Sequence, residues 1–432
     1  MKKTLLPLLF LFSLTINAQW NNYDNSNNPV IKSNAIRSVA IDDEGILWFG
    51  TSDGLISFDG DKWLRYTQEQ HSIAGNSINQ VNYISTNGSL ILSTNNGSNE
   101  VDLQGGFLVS STWQTDNSGI YDNVVYSAGV NPTGIKSFGT AKGFSVFTGS
   151  VWSPIQNLAA IDSINLANNP VISINSTPEN TFISSDGKGI YLTANEVDGL
   201  SFVTNWVFPY NIPTSDNIKA TFVDSEGNQW YGTDMGAVYH AGIEAQAGWS
   251  DPYTTAQGLP DNQVNAIIED SYGHVWFGTE NGIAVKKADD TWTTFSEADG
   301  LIDNRVKDII ESNDNRIWIA TEEGISSFTP SWVSNNITLT NSYFNLRIHP
   351  NPASEGTWIK YNLPDSGPLK LNVYDISGKL INTLKNEFGV AGEHEIFWNV
   401  KDENDIPVPA GIYFLRIESR NLISSRKIVV LQ

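Results

Sequence analysis

Apolar and polar residues alternate in short runs along most of this chain, and turn formers interrupt the runs every few residues, which predicts short half-buried strands. Residues 264 to 295 read most clearly: "VNAIIED" is one strand, "SYGH" a turn, "VWFGT" a second strand, "ENG" a second turn, and "IAVKK" and "TWTTF" the third and fourth strands. The feature that recurs is the end of the second strand, where a Thr runs into a tight turn closed by Gly. It reads "WFGTSDG" at 48 to 54, "LILSTNNG" at 90 to 97, "KSFGTAKG" at 136 to 143, and a degenerate "FISSDGKG" at 182 to 189. Three more copies follow: "WYGTDMG" from 230, "WFGTENG" from 276 and "WIATEEG" from 318. The equivalent positions Thr51, Thr94, Thr140, Ser185, Thr233, Thr279 and Thr321 are 43, 46, 45, 48, 46 and 42 residues apart. That is the length of a four-stranded propeller blade and of no helical solenoid.

Seven copies predict an all-β fold that begins with a seven-bladed β-propeller. The closing Gly residues, Gly54 and Gly282 among them, sit where a tight turn needs a residue tolerant of positive φ. The preceding Thr can bond backbone groups inside the turn. Trp48, Trp230, Trp276 and Trp318 recur in the second strand and are read as sheet-to-sheet packing. A ring of sheets must close or leave exposed edges. "QWNNYDNSNNPVIKSNAIRSVAI" aligns with "TWTTFSEADGLIDNRVKDII", so Trp20 to Tyr23 is inferred to be the fourth strand of the last blade, with "SWVSNN" at 331 as the other candidate.

After residue 334 the texture changes. Residues 335–344 are a polar linker, and residues 345–432 lack the blade turn but give about seven alternating strands, as in a small immunoglobulin-like β-sandwich. At the other end, Lys2 and Lys3 precede an apolar run from Leu5 to Leu14 and then small residues ending at Ala18. This predicts a signal peptide over 1–18, leaving the propeller at 19–334. No later segment is apolar enough to span a bilayer, so no transmembrane segment is expected after cleavage.

Composition narrows the chemistry. With 25 Lys and Arg against 47 Asp and Glu, the formal net charge is −22, which repels nucleic acid and anionic lipid. With no cysteine, there is no disulfide, thiolate metal site or Cys nucleophile. His71, His240 and His274 lie in different blades without metal-ligand spacing. No hydrolase elbow and no phosphate-binding loop is present, and no cofactor is expected. The turns "DDEG", "DSEG" and "DSYG" do not match an EF-hand loop and are read as Asx turns, with ion binding at one blade left open.

In a propeller, the turns between second and third strands emerge on the same face as the connections from one blade to the next. The candidate binding residues are therefore those inside the turns: Asp53, Asn96, Lys142, Asp186, Lys188, Asp234, Glu280, Asn281, Glu322 and Glu323. They predict an acidic, amide-rich mouth suited to sugar hydroxyls, a cation or a basic partner. No catalytic set is visible among them.

Residues 34 to 67, "NAIRSVAIDDEGILWFGTSDGLISFDGDKWLRYT", echoed at 217 to 255, 262 to 295 and 304 to 328, resemble the two-component regulator propeller repeat. Such repeats build the extracytoplasmic sensors of hybrid histidine kinases and also occur in secreted proteins, but no kinase segment follows here. Pro350-Asn351-Pro352, Val373-Tyr374-Asp375 with Gly378, Gly392 before Trp398, and Pro409-Ala410-Gly411-Ile412-Tyr413 resemble the C-terminal sorting domain of the type IX secretion system of Bacteroidetes. His349, where Tyr is common, and Asn404-Asp405, where a Gly turn is common, are small departures. This resemblance implies export through the periplasm to the outer cell surface or the medium, with the secretion machinery as partner of residues 345–432. The leading expectation is a secreted or surface-held binding propeller for a glycan or protein. The alternatives are a propeller lyase or hydrolase, and an accessory component of the secretion and attachment machinery.

Overall fold

The computed structural model describes residues 20–431 apart from 105, 132–133, 156–169, 177–179, 186–188, 195–213, 242–247, 288, 331–343, 345, 355, 364–365, 376–378 and 420–421. The predicted signal peptide, the linker apart from Phe344, and the whole "SWVSNN" alternative lie outside the described residues. Seven antiparallel sheets follow one another along the chain. Blade one is Ile36–Ile41, Leu47–Thr51, Gly54–Phe58 and Trp63–Tyr66, hydrogen-bonded in that order. Blades two to six begin at Ile78, Val125, Val171, Ile218 and Val264, and blade seven spans Val306–Glu311, Ile317–Thr321 and Gly324–Phe328. Each first strand lies against the first strands of the blades before and after it, and blade seven meets blade one. The ring is closed.

The fourth strand of blade seven is Trp20–Tyr23, paired antiparallel from Trp20 opposite Phe328 to Tyr23 opposite Ile325. Trp20 stacks on Phe328 at 4.5 Å between ring centroids, and Tyr23 stacks on Trp318 at 5.9 Å. The N-terminal strand therefore covers the last sheet edge, as the alignment anticipated.

The "WFGT" run has a separate physical reason at each position. Successive residues of a strand point to opposite faces, so Trp48 packs toward blade two, with Leu90 and Leu92, whereas Phe49 packs back against Trp318 of blade seven. Trp276 and Trp318 repeat this arrangement at the seams between blades six and seven and between blades seven and one. The indole nitrogens of Trp48, Trp230 and Trp276 donate to the Oδ2 atoms of Asp42, Asp224 and Asp270 at 2.9, 2.8 and 2.9 Å. The Oδ1 atoms of the same residues accept backbone N–H groups of their turns, such as Glu44 and Ile46 on Asp42. The acidic turns are thus Asx turns that also anchor a buried indole. Gly278 permits close approach, since a Cβ there would lie 2.5 Å from Cγ1 of Val306 in the next blade. Thr279 is fully buried. Its hydroxyl donates to the Gly282 carbonyl at 2.8 Å and accepts the Asn281 N–H at 3.2 Å. Gly282 itself has φ +109° and would set a Cβ 2.5 Å from the Phe295 carbonyl oxygen.

The inner strands are also stitched together between blades. Ser38 Oγ accepts the Val81 N–H at 3.2 Å, and Gln80 Oε1 accepts the Ala128 N–H at 2.8 Å. At the closing seam the acceptor is a carboxylate, Asp308 Oδ2, 2.9 Å from the Val39 nitrogen. Burial pushes the Asp308 carboxyl up to about 6, against the opposing pull of the Val39, Ser38 and Ile309 hydrogen bonds.

Residues 344–431 form two further sheets. Three strands, Arg347–His349, Thr357–Leu363 and Gly392–Trp398, face four others, Gly367–Asp375, Leu380–Gly389, Gly411–Ser419 and Leu422–Val430. Alternate residues such as Ile359, Tyr361, Leu371 and Val373 meet Trp398 in one core between the sheets. This is the two-layer sandwich the alternation implied.

Replacing Thr279 by Val is expected to destabilise the propeller by about 1–3 kcal/mol, because buried backbone groups lose their partner. The comparison is Thr294→Val on the exposed outer strand, and equal unfolding midpoints for the two variants would contradict the role assigned to the hydroxyl. Asp308→Asn keeps the oxygen acceptor and removes the buried charge. A carboxyl whose folded pKa is raised above 3.8 binds its proton more tightly in the native state, so its contribution to stability falls as pH rises from about 4 to 6. The Asn variant is therefore expected to be more stable above pH 6 by on the order of 1–3 kcal/mol, with the gain vanishing toward pH 4. Thermal unfolding across that range measures it, and a gain independent of pH would contradict the assignment.

Candidate ligand site at the propeller mouth

The turns between second and third strands are fixed from both sides. On one side the first turn residue donates its N–H to the entry of its own blade: Ser52 to Ala35 at 3.1 Å, Asn95 to Ser77 at 3.1 Å, Glu280 to Gln263 at 3.2 Å. On the other, the closing Gly donates to an Asn at the entry of the next blade. Gly54 reaches Asn76 at 2.6 Å, Gly97 Asn123 at 2.6 Å, Gly236 Asn262 at 2.7 Å and Gly282 Asn304 at 2.7 Å. The side chains of those same Asn residues accept N–H groups of the incoming connection, such as Gln68 on Asn76 at 2.7 Å and Thr115 on Asn123 at 2.8 Å. Turns and connections therefore share one face.

The first strand of every blade slips register by one residue at its second position, a β-bulge repeated seven times. An unpaired residue of this kind re-aims a side chain. The bulged residues are Arg37, Asn79, Tyr126, Ile172, Lys219, Asn265 and Lys307, one from each inner strand, so they form a ring at the mouth. None was singled out from the sequence. The available signal was an i, i+3 apolar spacing in place of strict alternation, as in Ile36 and Val39, Val264 and Ile267, and Val306 and Ile309. The entry Asn, two places before each first apolar residue at Asn34, Asn76, Asn123, Asn262 and Asn304, was equally legible and equally missed.

The two residues of each turn go different ways. The first faces the ring: Glu280 Oε1 accepts from Lys307 Nζ at 2.8 Å and Asn265 Nδ2 at 2.7 Å, and Glu322 stands 3.3 Å from Lys307. Burial pushes the Glu280 carboxyl up, but Lys307 and Asn265 more than offset it and hold it below the ordinary value. Asp234 accepts from Asn217 at 3.1 Å, and its other carboxylate oxygen is buried without a hydrogen-bond partner. The second residue faces away from the channel. Asp53 binds Arg65 of the outer strand at 2.7 Å, and the Asn96 amide donates to Ala74 O at 2.9 Å. Lys142 pairs with Asp122 at 2.6 Å, and Glu323 with Arg305 at 3.1 Å. Asn281 occupies the same second position as these. Asp186 and Lys188 lie outside the described residues. The structure thus brings Asp234, Glu280 and Glu322 to the ring and sets Asp53, Asn96, Lys142 and Glu323 on the rim.

The mouth is uneven. At blades six and seven, Lys307 is neutralised by two carboxylates. At blades one and two the groups are a guanidinium, amides and hydroxyls: Arg37 Nη1 donates to Ser77 Oγ at 2.7 Å and Asn79 Oδ1 at 3.1 Å. Among the described residues, no three His, Asp or Glu side chains are placed to hold a metal ion. Among those residues, too, no helix is long and apolar enough to cross a membrane.

The two component regulator propeller family matches residues 31–53, 258–281 and 300–323, and the secretion system C-terminal sorting domain matches residues 347–431. No curated protein matches the chain in sequence. Among solved structures it is similar to PorZ, an essential surface component of the type-IX secretion system of Porphyromonas gingivalis, with 15% identity and TM-score 0.57 over 93% of this chain and 60% of that one. It is also similar to the extracellular domain of a protein assigned to the hybrid two component systems of B. thetaiotaomicron, with 17% identity and TM-score 0.61 over 96% of this chain and 57% of that one. Virginiamycin B lyase from Staphylococcus aureus shares 12% identity and TM-score 0.53 over 72% of this chain and 99% of that one. At these identities the likeness is one of fold. The chain spans about three fifths of the length of the first two relatives. Its sorting domain marks it for secretion and attachment at the cell surface through the type IX machinery. The chain therefore carries two component regulator propeller repeats and ends in a secretion system C-terminal sorting domain.

Proposed function

We propose that this surface protein is a binding propeller, which holds a glycan or protein ligand at the mouth where the bulge ring meets the first turn residues. The observation that carries this reading is the sevenfold bulge, which spends one unpaired residue per blade to aim a side chain at a common place. Packing alone does not ask for it. Around that place Arg37, Asn79, Asn95, Asn265 and the Lys307 cluster present donors and acceptors on rigid strands rather than on free loops, which preserves geometry for recognition. On this reading residues 1–18 are removed, 19–334 form the propeller, 335–344 are a linker and 345–432 engage the export machinery.

The test is a thermal-shift screen of the mature chain against neutral and charged polysaccharides and divalent cations, with the same mixtures followed for released sugar. A ligand at 100 times its Kd is expected to stabilise the native state by about 2.7 kcal/mol. Asn79→Ala with Asn95→Ala is expected to abolish that shift while leaving the unliganded stability within about 2 kcal/mol of wild type. Release of sugar would replace the binding reading by a lyase or hydrolase, and a shift untouched by the double variant would move the ligand away from the mouth.

A further inference from the structure

We infer that the arc of the mouth formed by blades one and two is a receptor for the carboxylate of an acidic saccharide, with Arg37 as the group that binds the acid. The inference rests on the mouth being a ligand site and names the chemistry of that ligand.

It follows from counting donors and acceptors. Ser77 Oγ accepts Arg37 Nη1 at 2.7 Å and Asn95 Nδ2 at 3.0 Å, so both its lone pairs are occupied and its own proton remains to be given. Asn79 uses its carbonyl on Arg37 and both its amide hydrogens on Asn95 Oδ1 at 2.8 Å and Val125 O at 2.7 Å. Asn95 is occupied at both ends by Asn79 and Ser77. Each side-chain acceptor of this network already takes a hydrogen bond, although the amide oxygens of Asn79 and Asn95 each keep a second lone pair. The donors not used within it are Nε and Nη2 of Arg37, the hydroxyl of Ser77 and the second amide hydrogen of Asn95. A fixed set in which donors predominate suits an oxyanion, and the planar edge of a guanidinium suits a carboxylate in particular.

Charge points the same way. In a chain with 47 acidic residues against 25 basic ones, a cation at a mouth would be expected to find a carboxylate, as Lys307 does with Glu280 and Glu322. Among the described residues no carboxylate lies against Arg37. The turn acid of the same blade, Asp53, is turned outward and held by Arg65 at 2.7 Å. Arg37 is partly buried, so a charge brought to it is screened less than at an open surface. Ser33 and Ser52, paired with each other in blade one, add hydroxyls, which fit the body of a sugar rather than a bare ion.

The experiment is calorimetric titration of the mature full-length chain with trigalacturonate, with its fully methyl-esterified counterpart and with inorganic sulfate. Wild type is expected to bind the acid at least tenfold more tightly than the ester, roughly the worth of one charge-assisted pair. Arg37→Ala is expected to erase that preference, Arg37→Lys to keep part of it, and Ser77→Ala to weaken binding of the acid more than of the ester. Circular dichroism and the unfolding midpoint of each variant establish that it is folded. Equal affinity for acid and ester, or binding of the acid unchanged in Arg37→Ala, overturns the inference. If acid and ester bind equally and both are lost in Asn79→Ala with Asn95→Ala, the mouth remains a ligand site and only the acid assignment falls. Sulfate bound as tightly as trigalacturonate through Arg37 overturns the saccharide assignment in favour of a simple oxyanion. Absence of any binding overturns it outright, whereas the broader mouth reading is decided by its own panel.

Discussion

A hydroxyl sealed from water is costly to leave without hydrogen bonds, and at the end of the second strand Thr51, Thr94, Thr140, Thr233, Thr279 and Thr321 each donate one and accept one within their own turn. All six are fully buried. The hydroxyl donates to the carbonyl of the closing Gly and accepts the N–H two residues on, which sets the turn's shape without outside help. That shape divides the two turn residues, one toward the channel and one toward the rim. It also presents the Gly N–H to the entry Asn of the following blade. The mouth is therefore a consequence of how a strand end is satisfied, and the same bond also ties one blade to the next.

Closure adds a second constraint. Seven sheets packed face to face leave two edges unless the chain ends supply a strand, and Trp20–Tyr23 does this at the last blade. The aromatic contacts of Trp20 with Phe328 and Tyr23 with Trp318 bury the seam from outside, while Asp308 stitches it from inside. Where the Ser38 and Gln80 stitches use a hydroxyl and an amide, this one uses a carboxylate, and burial raises its affinity for a proton in the folded state.

The distribution of charge around the mouth bears on function more than its total does. A net charge of −22 suggests a surface hostile to anions. Yet the rim absorbs several acids in pairs with Arg65 and Arg305, and the ring neutralises Glu280 and Glu322 with Lys307. Among the described residues of blades one and two, the cation Arg37 is braced by a hydroxyl and an amide rather than by a carboxylate. Composition and local chemistry point in opposite directions here because side chains a few ångströms apart in one ring are about forty residues apart in sequence.

The sequence by itself determined the recurring turn and the all-β pattern of short strands, and its internal alignment pointed to the strand that closes the ring. These depend on local periodicity and on residues such as Thr279 and Gly282 whose roles are satisfied within a few positions. It also placed the turns and the connections on one face, where their hydrogen bonds join them. Only the tertiary structure decided which side chains meet there. A bulge changes the direction of one residue without changing composition, so Arg37 and Lys307 looked like ordinary strand residues, and Asp53 and Glu280, equivalent as acids in a turn, part company because one is the second residue of its turn and the other the first. Partners such as Arg65 for Asp53 and Lys307 for Glu280 come from a different strand or the next blade, and only the folded ring brings them within hydrogen-bonding distance.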